Sequence, residues 1–358
     1  MRYAVIIAGG PGRRLWPASR QDKPKQLIRL IDGKCLLEIA LERLSGLFPP
    51  ELTLVVTSAS YSEQVCQCFA PLPAENVIGE PEGRDTANAI ALAAEIVAGR
   101  AGDDATMAVF TADHVITPAE EFRRCVGLAC EVAEKNPASL VTFGIRPKWA
   151  HTGLGYIHCG EKLREGVHRV LGFKEKPDHH QARVYYEGGG YFWNSGMFVW
   201  RVAAIREAMR RFLPASATAL APISEAVSAG QDISGLLNEI YPRLPKISID
   251  YAVMENAEDV LMVELPCRWL DVGSWPALDD VIKLDDDGNA LVANRAALID
   301  SSHNIVYADD DHLVGVVGMD DCIVVHTPDA TLVCKKSDSQ RLKELVDLIG
   351  RRFGPGYL

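Results

Sequence analysis

Two hydrophobic patterns alternate along the first half of the chain. Short runs are apolar at nearly every position: YAVIIA (3–8), LTLVVT (52–57), ATMAVFTA (105–112) and SLVTFGI (139–145). Between them, Leu36–Leu47, Thr86–Ala98 and Glu121–Lys135 repeat apolar residues at helical spacing. Continuous apolar runs predict strands covered on both faces, and amphipathic stretches predict the helices that cover them. Strand and helix in alternation imply right-handed crossovers, hence an α/β fold with a mixed, mostly parallel sheet between helical layers. Such sheets bind ligands beyond the carboxyl ends of their strands. That places attention on the loop after Ala8 and on Asp113-His114, which follow two of the predicted strands.

The pattern then changes twice. GYIHCG (155–160) and HRVLGFKEKP (168–177) predict strands, and GGGYFWNSGMFVW (188–200) predicts a Gly-rich turn feeding an aromatic strand. Helices are expected around 202–211 and 274–284. From about residue 288 short apolar pieces are broken by Asp, Asn, Ser and Gly every few residues, which predicts a small β-rich region built from short rungs. The tail predicts a helix. Ser337 and Gln340 fit a capping box, and Leu342, Leu345, Val346, Ile349 and Phe353 form one apolar stripe, expected to pack on its own domain. The expected division is 1–285 for a catalytic domain and 286–358 for the β-rich region.

Charge narrows the chemistry. The 358 residues carry 48 acids and 37 bases, a net −11, which argues against a protein that coats nucleic acid. The nine cysteines show no zinc spacing and read as reduced, buried, small apolar residues. No signal peptide or membrane span is evident, so the expectation is a cytoplasmic protein with no membrane partner. Against this acidic background the loop GGPGRRLWPASRQDKPKQL (9–27) holds five cations, Arg13, Arg14, Arg20, Lys23 and Lys25, and one acid, Asp22. It fits neither the phosphate-loop nor the dinucleotide pattern. Its glycines still let backbone N–H groups approach an anion, and Arg14 and Lys25 add a forked and a point charge. The reading is a polyphosphate site of another type, set against a plain solvated turn.

The loop resembles the signature G-G-x-G-[ST]-R-L-W-P-x-S-R-x-x-x-P-K-Q-[FL] of mannose-1-phosphate guanylyltransferases, or GDP-mannose pyrophosphorylases. EPEGRDTANAIALAA (80–94), TADHVI (111–116), HTGLGYIHCG (151–160), FKEKP (173–177), WNSGMFVW (193–200), ISIDYAVMENA (247–257) and RWLDVGSW (268–275) extend the resemblance in order over residues 1–285. It implies a Rossmann-like three-layer nucleotide-sugar transferase fold. It also implies a short form without the isomerase domain of bifunctional members. The implied reaction joins GTP to mannose 1-phosphate, giving GDP-mannose and pyrophosphate. The sugar-phosphate oxygen is already an anion, so no activated serine or cysteine is needed. Positioning, cations and a metal suffice.

The resemblance also implies roles. Gly9, Gly10, Gly12 and Arg13 would hold the triphosphate, Arg14 the leaving pyrophosphate, and Lys25 the α-phosphate. Arg13 stands where the family has Thr or Ser, and either adds a phosphate contact or points outward. Asp113 and Asp271 would share one Mg²⁺, while His114 serves a structural hydrogen bond. Glu80 would accept from guanine N1–H and N2–H, and Arg84 either touches the nucleotide or braces its loop. Gly155, Glu175, Lys176, Asn194 and Asp250 would form the sugar-phosphate subsite. Asp85, Asn88 and Ala150-His151 depart from the family's Asn, Pro and Pro-Glu. The expected partners are GTP and mannose 1-phosphate, with a homodimer allowed by the sequence. Two alternatives stand beside this reading: a guanylyltransferase for another sugar 1-phosphate, such as a heptose, and a silent GDP-sugar-sensing subunit.

Overall fold

The computed structural model describes residues 1–10, 12–309 and 311–358. Nine strands form one twisted mixed sheet. Side by side they run Val77–Glu80, Thr53–Ser58, Arg2–Ala8, Thr106–Thr111, Tyr191–Arg201, Leu140–Ile145, Val260–Glu264, Val167–Lys174 and Tyr156–Arg164. The first four are mutually parallel, with Ala4 beside Thr53 and Ala108. Tyr191–Arg201 runs antiparallel to both its neighbours, and Val260–Glu264 is parallel to Leu140–Ile145.

The apolar runs work as their pattern predicts. Along the first strand Tyr3 and Val5 point into one core with helix Asp85–Ala101, while Ala4, Ile6 and Ala8 point into a second core with helices Leu36–Leu44 and Ala119–Lys135. This is the period of two expected of a strand covered on both faces. The sheet is therefore the middle of three layers, and its parallel strands deliver the loops after Ala8, Ser58, Glu80 and Thr111 to one edge.

Some expectations need correction. The helix expected over 274–284 is a 3-10 turn, Trp275–Asp280, preceded by Ser274 in extended backbone. Five short helices were not read from the sequence: Ser62–Cys68, His179–Gly188, Pro214–Leu220, Pro222–Ser228 and Ser234–Ile240. Two of them open on proline, which is favoured in the first helical turn but obscures the helical period. The final helix is Leu342–Phe353, and Ser337 and Gln340 lie in a preceding 3-10 segment, so no capping box forms. Its stripe packs on the first loop: Leu342 and Val346 share a core with Leu15 and Trp16, whereas Phe353 is exposed. Only four of the nine cysteines are fully buried, and none is in a disulfide.

The last strands stack as parallel rungs. Ala290 lies beside Ile305 and Ile305 beside Ile323, while Arg295–Ile299 pairs with Leu313–Val317. Buried Asn289 and Asn304 close the turns between rungs. Asn304 N–H donates to the Asn289 side-chain oxygen, and Cys322 N–H to that of Asn304, at 2.9 Å each. Such satisfied buried amides are what make the punctuated sequence foldable. Among the described residues no helix is long and apolar enough to cross a membrane.

Candidate active site

A cavity of about 530 Å³ opens at the carboxyl edge of the parallel strands. Its walls include Gly9, Gly10, Lys25, Glu80, Asp113 and Asp250. The strand ends are held by side chains: Gln26 and Thr57 both donate to the Ala8 carbonyl, at 2.7 and 2.9 Å. The loop then turns through Gly10 and Gly12, both at positive φ. Gly12 is required twice over, because a Cβ there would also lie 2.5 Å from the Lys25 Cβ.

Lys25 and Asp113 form a salt bridge within this cavity. Burial works against the Lys25 ammonium, but Asp113 and Asp271 outweigh it and raise its pKa. Burial likewise opposes the Asp113 charge, yet Lys25 and then His114 pull its carboxyl down to about 2. Asp271 comes from the ribbon Arg268–Asp271, which pairs antiparallel with His114–Thr117 and sets Asp271 opposite His114. Oxygen and nitrogen atoms of Asp113, His114 and Asp271 lie within 4.8 Å of one another. Two carboxylates at this spacing, one lining the cavity and the other exposed, suit a hard divalent cation that keeps other positions for phosphate and water. His114 has another task. Its Nδ1 meets the Thr111 hydroxyl at 2.5 Å and accepts from the Trp269 indole N–H at 3.2 Å. That bond leaves the proton on Nε2, and burial lowers the imidazole pKa. Arg14 lies against Gly273, where a Cβ would sit 3.0 Å from its guanidinium and 3.3 Å from Asp271 Oδ1.

Glu80 ends its strand inside the cavity and is 5% exposed. The Tyr241 hydroxyl donates to its Oε1. Burial pushes its carboxyl up to about 7, against the pull of that hydrogen bond. Asp85, noted in the sequence only as a family departure, and Lys246, not singled out there, also face the cavity. Arg84 turns away: it pairs with Glu82 and donates to the Pro242 carbonyl, bracing the loop. Asn88, at a family departure, donates to Pro245 at 2.7 Å and so anchors the segment that carries Lys246 and Asp250.

Gly155, Glu175, Lys176, Asn194 and Asp250 gather beside the cavity. Lys176 pairs with the Glu175 carboxylate, Asn194 Nδ2 donates to Asp250 at 2.9 Å, and Asn194 N–H donates to the Gly155 carbonyl at 2.8 Å. A Cβ on Gly155 would collide with that same Glu175 carboxylate. Burial, then Glu175, raises the Asp250 carboxyl to about 7. Glu255, missed in the sequence, accepts from Glu175 N–H at 3.0 Å and fixes the turn. His151 lies half-buried with its ring centroid 6.1 Å from that of Trp193. Arg13 is the outlier of the set. It points away from the cavity and pairs with Asp347 on the final helix.

A nucleotidyl transferase family model matches residues 3–288, and a mannoseP isomerase/GMP-like beta-helix domain model matches residues 294–349. The chain is 38% identical over 354 residues to a mannose-1-phosphate guanylyltransferase of Klebsiella pneumoniae, covering 98% of this chain and 74% of that protein. The same identity and coverage hold for a mannose-1-phosphate guanylyltransferase of Escherichia coli. A solved structure from Thermus thermophilus, described as a mannose-1-phosphate geranyltransferase, has a TM-score of 0.86 and 38% identity, covering 97% of this chain and 99% of that one. The likeness runs through the cavity and the rungs alike, and the chain belongs to the mannose-1-phosphate guanylyltransferase family of nucleotidyl transferases.

Proposed function

We propose that this protein joins GTP to mannose 1-phosphate through attack of the sugar-phosphate oxygen on the GTP α-phosphorus, releasing pyrophosphate. The observation that carries the reading is the adjacency of two unlike clusters: a glycine loop with Lys25, Glu80 and Asp113, and beside it Glu175, Lys176, Asn194 and Asp250. The first suits a nucleoside triphosphate and the second a sugar bearing one phosphate. In this reading the backbone N–H groups of Gly9, Gly10 and Gly12, with Arg14, hold the triphosphate, and Lys25 meets the charge that grows at the α-phosphate. Asp113 and Asp271 would hold Mg²⁺, which supplies charge neutralisation between the two phosphates when bound. Residues 1–285 carry the chemistry and 286–358 form the appended rungs. Pyrophosphate release measured with mannose, glucose and heptose 1-phosphates tests the sugar. Mannose 1-phosphate should give the highest kcat/KM, and a preference for the heptose would move the assignment to the other sugar.

Glu80 is the proposed reader of guanine. Its Oε1 keeps a second lone pair beside the Tyr241 bond, so the carboxylate can accept N1–H and N2–H together. Adenine offers no such donor pair. In Glu80→Gln an amide faces a donor, a mismatch worth about 1–3 kcal/mol, or roughly 5- to 150-fold in kcat/KM for GTP. Inosine triphosphate lacks N2–H and should be the poorer substrate of the unaltered enzyme, with the gap shrinking in Glu80→Gln. An unchanged ratio would move guanine selection to backbone groups. The raised pKa adds a pH signature. Below about 7 the free carboxyl holds a proton that GTP must displace, so KM for GTP should rise as pH falls, and this rise should be absent in Glu80→Gln. The same shift bears on folding with the opposite sense. Because the folded pKa lies above the unfolded value of 4.5, the contribution of Glu80 to stability is lost as pH climbs from there to about 7.

Lys176 is 58% exposed at its side chain and pairs only with its neighbour Glu175 among the described residues. It grips a phosphate charge present throughout the reaction. Lys176→Ala should therefore raise KM for mannose 1-phosphate with little change in kcat. A variant that weakened GTP alone would remove Lys176 from the sugar-phosphate subsite.

A further inference from the structure

Three of the five cations in the opening loop pair with the C-terminal region rather than face the cavity that Lys25 lines. Arg13 pairs with Asp347, Arg20 with Asp329 at 2.8 Å, and Lys23 with Asp309 at 2.6 Å. All three acids belong to the rungs and the final helix. Hydrogen bonds run the same way: the Trp16 indole N–H donates to the Tyr357 carbonyl at 2.7 Å, and Gln21 N–H to that of Leu358 at 2.8 Å. The Arg20 guanidinium also lies 5.3 Å from the centre of the Trp16 ring. Beneath these contacts Leu15 and Trp16 share one apolar core with Ile305, Tyr307 and Val346, and the same core takes in Val272.

The order of these anchors along the chain is informative. Arg14 follows Arg13, Lys25 comes just after Lys23, and Asp271 precedes Val272. Arg14, Lys25 and Asp271 are thus each adjacent, or nearly so, to a residue seated on the C-terminal region. The start of the loop is rich in glycine, with Gly10 and Gly12 at positive φ, and within the loop its side-chain support comes from Ser19, which donates to the Gly12 carbonyl at 2.8 Å, and from the Lys25 stem. A loop of that kind binds an anion well only if something else removes its freedom beforehand.

We infer that the C-terminal β-rich region is a positioning part of the active site, and that Arg13–Asp347, Arg20–Asp329 and Lys23–Asp309 hold the triphosphate loop in its working geometry. The inference rests on the reading of Arg14, Lys25 and Asp271 as the phosphate and metal groups. It gives the basic loop of an acidic protein two separate tasks. Arg14 and Lys25 serve the substrate, and the other three cations serve the scaffold that aims them. Arg13, Arg20 and Lys23 are positioning residues and act through their neighbours.

Charge reversal with exchange tests this. Lys23→Asp, Asp309→Lys and the double exchange form one set. Arg20→Asp, Asp329→Arg and their double form the other, kept second because Arg20 is only 10% exposed and its reversal risks the fold. Each single reversal should raise KM for GTP and lower kcat, together by roughly five- to tenfold in kcat/KM, and the exchange should restore most of the loss. KM for mannose 1-phosphate should stay within about twofold, because Glu175, Asn194 and Asp250 stand on other elements. GTP binding, followed calorimetrically without sugar phosphate, should weaken in parallel. Unchanged GTP parameters in the Lys23 and Asp309 single reversals would overturn the inference. So would an equal loss for both substrates, or a loss the exchange does not repair, since these mark a general structural effect. If the unaltered enzyme made no GDP-mannose, the functional reading would fall, and the calorimetric arm would still decide whether the pairs order the nucleotide loop.

Discussion

Asp271→Asn should lower kcat by about 10²–10³ while leaving the protein folded, because it removes a main charge-stabilising group from a position open to solvent. Asp271 sits at the end of a two-stranded ribbon, and the partner it faces there, His114, is held by Thr111 and Trp269 through Nδ1. The ribbon therefore survives the change. Asp113→Asn should cost as much in rate and more in stability. It strands the Lys25 ammonium, whose side chain is 15% exposed and whose raised pKa depends on Asp113 before Asp271. Losing a hydrogen bond between charged groups in such a place costs about 1.5–3 kcal/mol. Turnover across a Mg²⁺ titration, with thermal melts of both variants, separates the two effects. Near-normal turnover of folded Asp271→Asn at limiting Mg²⁺ would falsify the ligand assignment.

Lys25→Met should also lose about 10²–10³ in kcat, with KM for both substrates changed little. The cation meets charge that grows in the transition state, so its loss appears in kcat. Methionine is the better probe than alanine. The aliphatic stem of Lys25 packs beneath Gly12, where there is no room for a Cβ, and an unbranched apolar side chain keeps that support. Lys25→Ala removes stem and charge together, and should fall at least as far. If Lys25→Met kept full kcat while Lys25→Ala did not, Lys25 would be a prop for the glycine loop and the α-phosphate would need another cation.

The central strands were legible because they are short, apolar on both faces and alternate with amphipathic stretches. The cavity's position followed from the alternation of strand and helix, which puts the loop after Ala8 and Asp113-His114 at the carboxyl ends of their strands. What could not be read was where side chains go once the chain has folded. Arg13, Arg14, Arg20, Lys23 and Lys25 look alike in sequence, yet Lys25 lines the cavity, Arg14 lies against Gly273, and three pair with acids that lie hundreds of residues away. Tyr241 was invisible as the partner of Glu80 for the same reason, being 161 residues distant. Lys246 gave a weak signal, standing just before the ISID stretch that carries Asp250. The helix expected over 274–284 failed because RWLDVGSW matters for its turn: Gly273 must leave room for Arg14, and Trp275 is buried with its indole N–H on the Trp16 carbonyl at 3.1 Å. Tertiary packing overrode the helical period there.

The fate of the α-phosphate distinguishes nucleotidyl transfer from GTP to a sugar phosphate from any other use of the nucleotide. Purified protein, Mg²⁺, mannose 1-phosphate and GTP labelled at the α-phosphorus would be incubated, and the products separated and counted. The label should appear in GDP-mannose, with one pyrophosphate released for each GDP-mannose formed. Label remaining in GDP with release of inorganic phosphate, or no labelled nucleotide sugar from a protein that binds GTP, would contradict nucleotidyl transfer.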